Sequence, residues 1–397
     1  MNKDSTKLIL SRLINKFGNV LYDYANSAWI VSFSNFGKSY LGLYQLADSI
    51  TLILFNPTAG VLADRINRKK ILLITDFISA FMCLLLCLIN NNSLMIILLI
   101  FNNVILSVCS AFSSTAMKSF TPNVVKNSEM LSFNSVLETF LQLINVLSPI
   151  FCVFFYKTLG LRWTLFFNAL TFLLSFFLIL NIKVEKKIQL STEKITIPII
   201  WMDLTEGYKY IKRDSEIFLL LIISAFVNLF LACYNYLLPF TNTIYNDTNS
   251  FAIFLTTGAI GAVIGAILSK HIKNNIRNLF YSLFLCGFGL ILVSLMGRSA
   301  SFRLWKYFGN LFFEVCLTIY NIHFISNIQK KVPDELLGRV FSTIFTVAVI
   351  FMPFGTTIMT IVNNSVSNTA FLTIGFCIII LSILGICSNS QMKIKKF

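Results

Sequence analysis

The chain has 397 residues, 56% of them hydrophobic and only 12% charged, with a mean hydropathy of +0.77. Soluble domains carry about 25% charged residues, so an ordinary soluble enzyme is excluded and a polytopic membrane protein is indicated. The net charge of +15 is spread between apolar runs, which reads as membrane topology and argues against a nucleic-acid partner.

The first 16 residues are polar and basic, and no small-residue cleavage site follows the first apolar run, so no cleavable leader is expected. Apolar segments then fall at 15–36, 40–62, 71–89, 94–116, 129–156, 161–182, 216–242, 250–269, 278–297, 304–327, 337–362 and 367–387. Each suits a membrane-spanning helix of ~20 residues, so an all-α protein of twelve transmembrane helices is predicted. Asn90, Asn91, Asn92 and Ser93 mark a turn between segments 3 and 4. The polar stretch 183–215 is a predicted cytoplasmic linker between two six-helix bundles, 1–182 and 216–397.

With the N-terminus placed in the cytoplasm, 26 Lys and Arg face inward and six outward, accounting for all 32. That bias predicts both termini on the cytoplasmic side of the cell membrane. The halves also resemble one another. A shift of 205 places Gly60 on Gly265 and Asp23 on Asn228; a shift of 211 places Pro122 on Pro333 and Asn103 on Glu314.

A charged side chain near the bilayer centre costs roughly 2.5–3.5 kcal/mol on insertion scales, so it normally faces a cavity or a partner. Asp23 and Glu138 each lie about nine residues into their segments, near 13 Å deep at ~1.5 Å per residue. Glu314 lies similarly deep from the outside. No Lys or Arg falls mid-segment, so these acids are read as unpaired carriers of a proton or of a cationic substrate. Asp76 is read as pairing with the nearby loop cations, and Asp48 as reaching the outer interface.

Segment 4 shows a polar stripe, Asn103, Ser107, Ser110 and Ser114, at the spacing of one helix face. The matching face of segment 10 holds Glu314, Thr318 and Asn321. Segment 1 adds Tyr22, Asn26, Trp29 and Phe33 beside Asp23; segment 7 adds Asn228, Tyr234, Asn235 and Tyr236. Aromatics with sparse amides and an acid suit bulky amphipathic molecules, through stacking and cation–π contact. The nine cysteines are read as small buried apolar side chains. No Walker loop, Rossmann fingerprint or metal-ligand cluster is present, and His271 and His323 have no partners by spacing. Neither enzyme chemistry nor a cofactor is expected.

The run GVLADRINRKK at 60–70 resembles the loop between helices 2 and 3 of the major facilitator superfamily, roughly G-x-L-x-D-R-x-x-R-[KR]. Gly60, Leu62, Asp64, Arg65, Arg68 and Lys69 occupy its places. KVPDELLGRVFST at 331–343 is similar to the P-x-E-L-x-G-R-V-F stretch of that superfamily's macrolide-efflux and enterobactin-exporter branch; AFSSTAMKSFTP at 111–122 matches the same branch more loosely. The chain departs from many relatives in lacking an Arg in segment 4 and a Gly-rich run in segment 5.

The resemblance implies the major facilitator fold, with segments 1, 4, 7 and 10 around a central cavity. It implies a gate in which Asp64 faces the start of segment 11 near Gly338 and Arg339, while Arg65 and Arg68 bridge to acids. It implies a monomeric, proton-coupled exporter of a hydrophobic or amphipathic small molecule, such as a macrolide-like drug. Uptake or export of an endogenous metabolite or siderophore remains open, as does a non-transporting membrane sensor or assembly protein.

Overall fold

A computed structural model describes residues 3–33, 37–65, 67–126, 129–183, 205, 208–297, 304–332, 340, 343–344, 346–362 and 365–394. Every regular element among them is a helix. Lipid leaves no alternative for long apolar segments, because each backbone N–H and C=O must be satisfied inside its own segment. The main helices are α1 (Lys3–Ser32), α2 (Gly37–Arg65), α3 (Arg68–Cys87), α4 (Asn92–Val124), α5 (Met130–Leu180) and α6 (Ser215–Leu237). They continue with α7 (Ser250–Ser269), α8 (Ile276–Gly297), α9 (Trp305–Lys331), α10 (Met352–Ile361) and α11 (Asn368–Ile394).

Predicted segments 5 and 6 are both contained in α5. Gly160, with φ 74° and ψ −179°, breaks it into arms 130–159 and 161–180. That conformation is open to glycine and closed to residues with a Cβ. Eight helices among the described residues are long and apolar enough to cross a membrane, α5 counting once; α1, α2 and α10 fall outside that measure. Twelve spans are reached only by counting the arms of α5 separately and including those three.

Side chains stop and start the helices where expected. The Asn67 carboxamide accepts from the Lys69 N–H at 3.1 Å and caps α3. Asn91, in the predicted turn, accepts from Ser93 and Leu94 and caps α4. Asp214 does the same for α6. Each satisfies orphan N–H groups of a first turn.

The chain divides into two compact units, Met1–Ile195 and Thr196–Phe397. In unit 1, α1 packs on α5, α2 on α4, and α3 on α4 and α5. In unit 2, α6 packs on α10 and α11, α7 on α9, and α8 on α9 and α11. The pairing repeats once the arms of α5 are matched to α10 and α11, in keeping with the internal repeat. At the end of unit 1 that carries the N-terminus, Leu8, Leu72, Phe120, Phe133 and Ile179 form an apolar cluster. Many large apolar side chains, among them Phe81, Phe101, Phe154 and Phe177, face outward, as a lipid-embedded bundle requires.

Candidate functional site: a polar cavity in unit 1

Arg12, Lys16, Asn19 and Asp23 recur at intervals of four, three and four, so α1 carries them on one face. That face lines a cavity of about 520 Å³. Asp48 and Leu52 of α2, Thr75, Asp76 and Ser79 of α3, and Asn103, Ser107, Ser110 and Ser114 of α4 also line it. Leu141 and Asn145 of α5 join them, and Leu106 and Phe172 add apolar wall.

The three acids of this cavity are in different states. Asp76 is 2% exposed and accepts from Asn15 Nδ2 at 3.1 Å and from Ser175 Oγ at 2.5 Å. Ser11 lies 2.9 Å from Ser175 and extends the network, which ties α1, α3 and α5 together. Asp48 is half-buried and accepts from the Ser107 hydroxyl. Asp23 is exposed to the cavity and makes no hydrogen bond or ion pair among the described residues. The charges acting on it are the Asp48 carboxylate and the Lys16 ammonium.

Three expectations change. Asp48 belongs to the cavity and not to the outer interface, because its face of α2 turns toward α4 and meets Ser107. Asp76 binds an amide and a hydroxyl within the bundle in place of loop cations. The acids do share their surroundings with cations: Arg12 and Lys16 lie at the start of α1, yet on the same face as Asp23. The signal that could have found Arg12, Lys16 and Asn19 was this helical spacing, which counting cations by loop conceals.

Among the other sequence candidates of unit 1, Tyr22 is buried and accepts from Asn102 Nδ2 at 2.8 Å. Asn26 is buried and donates to the Tyr44 hydroxyl at 3.3 Å. Asn103 is buried and donates to the Tyr44 carbonyl at 3.0 Å. Trp29 is half-buried against Phe33, with ring centroids 5.2 Å apart. Ser110 is exposed in the cavity wall, and Ser114 donates to the Ala111 carbonyl at 3.1 Å. Glu138 lies in the first arm of α5, with its side chain outside the described residues.

In unit 2, Glu314 is half-buried against Gly258: a methyl group placed there would lie 3.5 Å from Glu314 Oε1. Thr318 is half-buried opposite Gly265, and Asn321 is exposed. Asn228 donates to the Ser224 carbonyl of its own helix at 2.9 Å. Tyr234 is buried, donates to Asn310 Oδ1 at 2.5 Å and has its ring 4.7 Å from that of Phe313, tilted by 47°; Asn235 is exposed. His323 is buried, and its Nε2 lies 3.3 Å from the Ser269 carbonyl.

Of the loop candidates, Gly60, Asp64 and Arg65 belong to the end of α2, with side chains outside the described residues. Arg68 donates to Asn123 Oδ1 at 3.1 Å. Lys69 donates to the carbonyls of Leu180 and Ile182, both at 2.8 Å, where the C-terminal carbonyls of α5 favour a cation. Lys7 reaches the Asn181 carbonyl at 2.8 Å. Its hydrogen bond also holds the Asp4 carboxyl below the usual range. Gly338 and Arg339 lie outside the described residues. Six of the nine cysteines are buried, and all nine are free.

Two pseudo-equivalent helical units, one of them holding a polar, acid-lined cavity, have the build of a membrane transporter. The Major Facilitator Superfamily profile matches residues 8–356, and the chain belongs to that superfamily. It is a multi-pass membrane protein that moves small molecules, and not an enzyme. The chain is 23% identical over 371 residues to macrolide efflux protein A of Streptococcus pyogenes, covering 89% of this chain and 88% of that one. It is 24% identical over 335 residues to macrolide efflux protein A of Enterococcus faecalis, covering 80% of this chain and 99% of that one. A crystal structure of a nucleoside transporter NupG variant aligns with a TM-score of 0.77 at 11% identity, covering 98% of this chain and 100% of that one. At that identity the likeness speaks for the fold alone.

Proposed function

We propose that the protein is a proton-coupled exporter of hydrophobic or amphipathic small molecules, macrolide-like in character. Asp23 carries the reading, as a carboxylate exposed in an intramembrane cavity with no protein hydrogen bond among the described residues. Such a group can hold a proton or a cationic amine. Competition between the two couples the release of one to the binding of the other. Leu52, Leu106, Leu141 and Phe172 offer the apolar wall an amphipathic ligand needs. Similarity to two macrolide efflux proteins supports the direction and the substrate class.

In this reading, 1–182 and 216–397 rock about the 183–215 linker and expose the site to each side in turn. Glu314 and Glu138 are further proton carriers. Asn26, Trp29, Asn228, Tyr234, Asn235, Thr318 and Asn321 belong to the substrate path. Gly60, Asp64, Arg65, Gly338 and Arg339 form the gate. The protein acts as a monomer in the cytoplasmic membrane, with both termini inside. The test is a panel of macrolides and cationic amphiphiles in proteoliposomes under an imposed pH gradient. Accumulation that collapses with a protonophore is expected; gradient-independent behaviour across the whole panel would remove the reading.

A further inference from the structure

The cavity of unit 1 holds charges of both signs, arranged in order along one helix. Lys16 and Asp23 are seven residues apart on the same face of α1, about 10 Å along the axis at ~1.5 Å per residue. Arg12 lies one turn further toward the N-terminal end and lines the same space. Neither Lys16 nor Asp23 makes a hydrogen bond or ion pair among the described residues, whereas Asp76 is committed to Asn15 and Ser175. Asp48 stands with Asp23 at the acidic end and holds Ser107. Between the two poles the wall is amide, hydroxyl and apolar surface, including Asn19, Ser110 and Leu106.

We propose that this cavity is an amphoteric binding site, taking a cationic group at Asp23 and Asp48 and an anionic group at Lys16 and Arg12. It rests on the transport reading above and deepens it: the preferred substrate is a zwitterionic amphiphile whose anionic group lies toward the N-terminal end of α1 from its cationic group. An anionic group on the ligand gains a charge-assisted contact that a simple amine lacks, worth about tenfold in affinity or more. Lys16 and Arg12 thereby act in specificity, beyond their contribution to topology.

The test compares two probes of equal alkyl length on the full-length protein in lipid nanodiscs. One is an alkyl trimethylammonium; the other is an alkyl betaine whose carboxylate is held about 10 Å from the nitrogen. The expected result is an affinity ratio of about ten or more in favour of the betaine. Lys16→Gln should lower the ratio, Lys16→Gln combined with Arg12→Gln should bring it close to one, and Lys16→Arg should keep it. Asp23→Asn should weaken both probes. A ratio near one in the unaltered protein, or a preference that survives Lys16→Gln combined with Arg12→Gln, overturns the amphoteric site and marks both as interfacial cations. Either result leaves the transport reading standing so long as Asp23→Asn weakens the monocation. Failure of both probes to bind the unaltered protein defeats both readings.

Discussion

The two units place an acid and an amide on pseudo-equivalent helices, but in opposite order. In unit 1 the acid is on the first helix, Asp23, and the amide on the fourth, Asn103; in unit 2, Asn228 is on the first and Glu314 on the fourth. Asp23 opens into a cavity. Glu314 leans on the glycine face of α7, where a methyl at Gly261 would come 2.6 Å from the Leu311 carbonyl and one at Gly265 2.5 Å from the Val315 carbonyl. Small residues let two backbones approach closely in lipid. The repeat puts Ile53 and Asn56 of α2 where α7 has Gly258 and Gly261, so the glycine pattern is confined to the sequence of the second half. Asp23 thus faces open space, whereas Glu314 meets the close-packed glycine face of a neighbouring helix.

Breaking this contrast starts with the acids themselves. Asp23→Asn should leave insertion intact but lower accumulation driven by a pH gradient of one unit by roughly tenfold, the equivalent of about 1.4 kcal/mol for one proton. Glu314→Gln should cost less in the same proteoliposome assay. Equal losses would erase the distinction between the units. Gly261→Leu should destabilise unit 2 by about 1–3 kcal/mol, because the carbonyl it meets cannot yield. Thermal unfolding reads this, with the milder Gly258→Ala as control.

Asp76→Ala should cost about 1–3 kcal/mol by leaving Asn15 and Ser175 without their acceptor, and Asp76→Asn less. Its mark is lower stability at unchanged coupling ratio, the reverse of Asp23→Asn. A smaller effect concerns Asp247, in the connection between α6 and α7. Burial alone would raise its carboxyl, but the Asn249 N–H at 3.0 Å, the Tyr307 hydroxyl at 2.8 Å and the Lys306 charge outweigh burial and hold it below the usual range. An acid depressed in the folded state stabilises above its unfolded pKa, and that contribution is lost as pH falls through the folded value. Unit 2 should therefore loosen below about pH 4, and Asp247→Asn should flatten that limb of a stability-against-pH curve. Lys69→Ala, which removes a cation from the C-terminal carbonyls of α5, should cost only about 0.3–1 kcal/mol in unfolding experiments.

The helices were legible because run length and polar breaks carry them: the segment expected at 250–269 is α7, Ser250–Ser269. The break between segments 5 and 6 falls at Gly160. The polar stripe of segment 4 was also legible, since Ser107, Ser110 and Ser114 share a periodicity of one helix face. Rotation of α2 was not. Depth alone put Asp48 toward the outer interface, and only its meeting with Ser107 of α4 turns it inward. Asp76 was misread for a related reason, because Asn15 and Ser175, its partners, are 61 and 99 residues away in sequence. Lys16 was counted for topology by its place in the chain, while its position two turns from Asp23 gives it a second role.

The central claim is that Asp23 exchanges a proton for the substrate's cation. Proton release on binding of a cationic amphiphile to the purified protein, measured in weakly buffered solution with a pH dye, tests it most directly. The account predicts proton release from the unaltered protein on ligand binding and none from Asp23→Asn at matched occupancy. Equal release from both would contradict it.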